Sequence, residues 1–129
     1  MGTAIICTAL LGVLIFGLGF AVSLTRGSTN TISGFNPDPT DRLYKMIRAH
    51  GNTTEHAPIL AVLMLLIGSR NPAAWMLWTM WLVTACRYLI VVGIIASPTL
   101  AKPHPLRFAG AVGTYLGGIV LCVAAYLSI

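Results

Sequence analysis

No charged residue occurs between Thr3 and Leu24. That run is long enough to cross a bilayer, whose ~30 Å hydrocarbon core takes about 20 helical residues. It predicts a helix over 3–24, then a loop over 25–40, where Gly27, Ser28, Asn30, Gly34, Pro37 and Pro39 gather. Asp38 or Thr40 is positioned to cap the next helix, expected over 41–68. Ser69, Arg70, Asn71 and Pro72 form a short turn, a third helix covers 73–95, three prolines break the chain between Ser97 and Pro105, and a fourth helix covers 106–127. The first segment has no basic start and ends in Leu-Thr-Arg instead of a small-residue cleavage site, so it reads as a span and not as a signal peptide. Trp75, Trp78 and Trp81 mark an interfacial belt on helix 3. Gly110, Gly113, Gly117 and Gly118 lie on helix 4, with Gly113 and Gly117 spaced for a close helix contact.

Helix 2 departs from this pattern. Its apolar part, Ala57 to Gly68, gives only ~18 Å of helix, so spanning requires the polar stretch around Arg48 to Glu55 to enter the membrane as well. At 100° per residue, Asp41, Tyr44, Lys45, Arg48, Asn52 and Glu55 fall within roughly 100° of one another, and Ile59 and Val62 continue that face. Each charge held in hydrocarbon costs about 2.5–3.5 kcal/mol, so these residues should face protein or a water-filled cavity and are functional candidates. A structural ion-pair network is the alternative, but Arg48, Asn52 and Glu55 offer more polar valence than one pair requires.

Composition supports an integral membrane protein. Of 129 residues, 57% are hydrophobic and 9% charged, with a net charge of +5, against about 25% charged in soluble domains. The chain is read as an all-α bundle of four transmembrane helices forming one domain, 1–129. Its basic residues make no stripe, which disfavours nucleic acid as a partner. Arg26, Arg42, Lys45 and Arg48 lie in or near the first connection and Lys102 and Arg107 near the third, so those two loops should be cytoplasmic and the termini outside. A compact chain ending in Leu-Ser-Ile, without an endoplasmic-reticulum retention signal, points to a bacterial inner membrane.

Counted from the turn at 69–72, Glu55 lies about 21 Å and Arg87 about 22 Å up neighbouring antiparallel helices, which predicts a Glu55–Arg87 pair. The remaining charge would be positive, and the cavity would favour an anion. His50 and His56 stand about 240° apart and cannot share a metal within one subunit, while His104 sits between prolines, so no metal site is expected. Cys7, Cys86 and Cys122 read as buried small hydrophobes.

The segment Arg48-Ala-His-Gly-Asn52-Thr-Thr-Glu55-His56-Ala-Pro58 resembles the RxxxNxxExxP signature of the MAPEG family, membrane-associated proteins of eicosanoid and glutathione metabolism. Chain length, span count and an arginine late in helix 3 agree with it. The resemblance implies a homotrimer that binds glutathione between subunits near the cytoplasmic side, as co-substrate against lipophilic small molecules arriving from membrane lipid. It places Arg48 on a carboxylate, Asn52 on the tripeptide, Glu55 on the γ-glutamyl ammonium or an adjacent arginine, His56 where family enzymes often have tyrosine, and Arg87 at the helix 3 arginine. Arg107 corresponds to the helix 4 arginine that lowers the thiol pKa, a guanidinium beside a thiol favouring the thiolate. Two departures stand out. Ile90 and Ile94 occupy positions that family enzymes give to aromatic residues or histidine, and the stretch from Arg87 to Arg107 is longer than in the eicosanoid enzymes. Tyr88 and Tyr115 are substitutes for the missing aromatics, or packing residues.

The resulting expectation is a glutathione transferase or peroxidase of the membrane, microsomal-type. A non-catalytic binder of glutathione or lipid is the alternative, supported by Ile90 and Ile94. A proton-coupled multidrug transporter is disfavoured, because Arg48 and Arg87 would hold Glu55 ionised and repel a cation.

Overall fold

In a computed structural model describing residues 1–128, the chain forms four helices: α1 Gly2–Thr29, α2 Arg42–Gly68, α3 Ala74–Ala96 and α4 Pro105–Leu127. Of these, α1, α3 and α4 are long and apolar enough to cross a membrane; α2 carries the polar half anticipated above. The surface is that of a lipid-facing protein, with Phe16, Phe20, Trp78, Leu116, Ile119 and Val123 among many exposed large apolar side chains.

α1 runs five residues past the boundary expected from Leu24. The hydroxyls of Thr25 and Thr29 turn back onto the carbonyls of Ala21 and Thr25, both at 2.8 Å, and Asn30 closes the helix in the left-handed conformation with its N–H on the Arg26 and Gly27 carbonyls. At 28 residues α1 is about 42 Å long, so it extends beyond the hydrocarbon. The cap of α2 is neither Asp38 nor Thr40 but Asp41, which accepts from the Tyr44 N–H at 2.8 Å. Asp38 instead accepts from the N–H and hydroxyl of Thr40 at 2.8 and 2.7 Å, and these bonds hold its carboxyl below the usual carboxylate range. Pro58 lies within α2 without ending it.

The strongest packing joins α1 to α2 and α3 to α4, and α2 and α3 touch more lightly. The α3–α4 pairing consumes three of the four glycines of helix 4. A Cβ on Gly113 would strike the Cys86 Sγ, one on Gly117 would strike the Val83 Cγ2, and one on Gly110 would lie 2.8 Å from the Cys86 carbonyl and 2.9 Å from the Ile90 nitrogen. The close contact expected at Gly113 and Gly117 is therefore made within one chain, and these glycines are not free for approach between subunits. Gly110→Ala forces the α3 backbone to move and is expected to lower stability by about 1–3 kcal/mol. Gly118→Ala meets only the Leu60 Cδ2 at 3.8 Å and should be neutral or slightly stabilising. Thermal unfolding of both variants in detergent checks this pair.

Tyr88 donates to the Leu10 carbonyl at 2.8 Å and so ties α3 to α1. Of the cysteines, Cys7 and Cys86 are buried, but Cys122 is exposed on the apolar outer face of α4, so the reading of all three as buried fails at one position. The connections before α2 and before α4 meet at one end. The Leu100 N–H bonds the Pro39 carbonyl at 2.9 Å, and the Lys45 ammonium bonds the Pro98 carbonyl at 3.0 Å. Beside that end a core of Leu14, Leu18, Ala49, Ile90, Val91 and Ile94 supports a cleft.

Candidate functional site: an arginine-lined cleft

The cleft has a volume of about 330 Å³ and opens among α2, α3, α4 and the loop before α4. On α2, Arg48, Asn52 and His56 succeed one another at i, i+4 and i+8, one stripe of a helix. Arg87, Ile90 and Ile94 come from α3, and Arg107, Thr114 and Tyr115 from α4. No acidic side chain lines the cleft, while three arginines do, so its field favours an anion.

Glu55 is not among the lining residues; it is exposed on the outer face of α2. The expected Glu55–Arg87 pair does not form. Arg87 Nη2 donates instead to the Asn52 Oδ1 at 2.7 Å and the Asn52 carbonyl at 2.8 Å. Depth along the helices is the wrong criterion, because rotation of α2 turns Asn52 toward α3 and Glu55 away. The residues of the polar stripe consequently serve different purposes. Asp41 caps, Lys45 braces the Pro98 carbonyl, Tyr44 packs on Phe35 with ring centroids 5.5 Å apart, and only Arg48 and Asn52 reach the cleft.

Arg87 has 0% of its surface exposed and lies about 20 Å along α3 from Ala74. Its Nε and Nη1 have no acceptor. His56 Nδ1 also meets the Asn52 carbonyl, at 2.9 Å, which makes Nδ1 the protonated nitrogen and leaves Nε2 as an acceptor in the neutral ring. The His56 and Tyr115 rings lie 5.6 Å apart. Arg107 is half-buried, and its Nη1 donates to the Lys102 and Leu100 carbonyls at 3.2 and 3.4 Å. The Arg107 nitrogen packs so closely on α3 that a Cβ at Gly93 would come within 2.7 Å of it. His104 caps α4 through Nδ1, accepting from the Leu106 N–H at 3.3 Å.

Sequence reasoning misses Thr114 and leaves Tyr115 between packing and function. A signal for both is nonetheless there: Arg107, Ala111, Thr114 and Tyr115 follow the 3.6-residue period, and in an otherwise apolar helix the polar members of one face mark its protein-facing side.

Four helices with exposed apolar outer faces and an open, arginine-lined cleft define a multi-pass integral membrane protein. A family model matches residues 4–127, and the chain belongs to the MAPEG family, whose members are membrane proteins of eicosanoid and glutathione metabolism. A search of curated proteins returns no matching relative.

Proposed function

We propose that the chain binds glutathione in this cleft and presents its thiol to lipophilic electrophiles or hydroperoxides, acting as a homotrimer of four-span subunits. The observation that carries this reading is the meeting of Arg48, Arg87 and Arg107 with Asn52 and His56 around a space free of acidic groups. Glutathione brings two carboxylates and a thiol to such a field, and the arginines supply the matching donors. Phe108 and Tyr115 line the cleft and are also exposed on the outer face of α4, giving an apolar electrophile an entry from lipid.

The trimer rests on Glu55. A carboxylate exposed beside Ile59 and Val62 costs about 2.5–3.5 kcal/mol in hydrocarbon, and a neighbouring copy covering this face of α2 removes that cost while placing Glu55 near a second cleft, where the glutathione ammonium needs an acceptor. Glu55→Gln is expected to weaken both glutathione affinity and trimer stability. Calorimetric titration and mass analysis in several detergents check the two effects; a fully active monomer with unchanged affinity refutes the assembly.

Binding without turnover is the second reading, favoured by Ile90 and Ile94, which line the cleft as apolar walls. Conjugation of glutathione with a generic aryl halide by the purified protein separates it from the first. Transport of a cation is opposed by the three arginines of the cleft and by the position of Glu55 outside it.

A further inference from the structure

Two histidines border the cleft, and their hydrogen bonds give them opposite tautomers. His104 accepts the Leu106 N–H through Nδ1, so its neutral ring carries the proton on Nε2. His56 donates through Nδ1 to the Asn52 carbonyl at 2.9 Å, which leaves the lone pair on Nε2. Arg87 Nη2 holds the same carbonyl at 2.8 Å, so the group that sets the His56 tautomer is itself held in place. The His56 ring is half-buried and lines the cleft. Its Nε2 has no partner among the described residues, yet it is not enclosed as the Arg87 Nε and Nη1 are.

The other charged or titratable groups on this space are Arg48 from α2, Arg87 from α3, His104 before α4, and Arg107 and Tyr115 from α4. None of them offers a free proton acceptor at neutral pH: the arginines are cations, a phenol keeps its proton, and the His104 lone pair is spent on its cap. Position along the helices sets what His56 meets. It stands eight residues beyond Arg48, and Tyr115 eight beyond Arg107, about 12 Å deeper in each case. The Tyr115 ring is 5.6 Å from that of His56 and is 58% exposed on the outer face of α4, so this end of the cleft is the one that meets lipid. A ligand whose carboxylates take Arg48 and Arg107 at the loop end lays its least polar group, the thiol, toward His56, where an apolar electrophile enters.

We propose that His56 is the general base of the cleft, its Nε2 taking the proton of the bound thiol. The assignment rests on the glutathione reading for its ligand, and a protonated tyrosine at this position could not perform the step. The S–H bond breaks, the proton passes to Nε2 and the electron pair stays on sulfur. With an aryl halide that pair forms the carbon–sulfur bond, the carbon–halogen bond breaks, and the halide leaves with its electrons. The imidazolium then returns its proton to water in the open cleft.

His56→Gln carries the test, because the amide keeps a polar group of similar reach but cannot take up a proton. Glutathione and S-methylglutathione, which has no thiol proton to give, are titrated into the full chain in lipid nanodiscs, and conjugation with an aryl halide is followed across pH. S-methylglutathione affinity should be the same in both proteins, showing that the variant is folded and its cleft intact. Conjugation by His56→Gln should fall about hundredfold at neutral pH, and the loss should shrink about tenfold per unit of rising pH as the thiol ionises unaided near ~8.5. Added imidazole should restore part of the rate in His56→Ala. Equal rates and pH profiles in wild type and His56→Gln overturn the base and leave the glutathione reading standing. So does an equal loss of affinity for both peptides, which would make His56 a ligand contact only, and so does glutathione bound to the wild type with its thiol protonated at neutral pH. Failure of both peptides to bind the wild type overturns the glutathione reading and the base together.

Discussion

Asn52→Leu is expected to destabilise the protein by about 3 kcal/mol and to abolish ligand binding. Arg87 is wholly buried and its one side-chain acceptor is the Asn52 Oδ1; removal leaves a guanidinium with a single backbone carbonyl to bond. Hydrogen bonds to charged groups contribute about 1.5–3 kcal/mol, and an uncompensated buried charge adds to the loss. Asn52→Leu combined with Arg87→Met removes both members, and an apolar pair in place of a buried polar one is often neutral. The double variant should therefore unfold near the wild-type temperature and still fail to bind glutathione. Thermal unfolding and calorimetry on the two single variants and the double one measure the coupling, expected at about 3 kcal/mol when Arg87→Met alone is close to neutral. Additive losses would show that Arg87 finds its compensation elsewhere.

The architecture is legible because hydrophobic run length is a one-dimensional property. Four helices, the turn at 69–72 and the arginine buried in α3 follow from where charges are missing and where they are not. Helix ends are less so: the Thr25 and Thr29 hydroxyls carry α1 through residues whose composition reads as loop. Asn52 shows what periodicity leaves open. A stripe 100° wide locates a face to within about one residue in four, and which member meets α3 depends on how α2 is rotated by its packing on α1, where the His50 ring lies against Gly19 and Ala57 and Leu60 join the α1 core. The Glu55–Arg87 pairing fails on that angle alone. Thr114 is illegible for a different reason, since a threonine in an apolar helix ordinarily satisfies itself on the preceding turn, and only the packed helices show a buried hydroxyl that does not.

Arg107→Ala separates two roles for the helix 4 arginine. A group that stabilises the thiolate raises the bound thiol pKa when removed, so activity falls about tenfold per unit of lost shift at neutral pH and recovers as pH rises through the new pKa. A group that anchors a carboxylate and the loop gives a loss that pH does not repair. The second pattern is expected. Arg107 bonds the Leu100 and Lys102 carbonyls and lies between Gly93 and the cleft, so alanine frees the loop over 97–104 and withdraws a cation from the cleft. The KM for glutathione should rise roughly tenfold, the energy of one charge-assisted contact, with parallel pH profiles for variant and wild type. Recovery of the variant at high pH would return the thiolate to Arg107, because a guanidinium that only positions the tripeptide has no means of making its loss depend on the protonation of the sulfur.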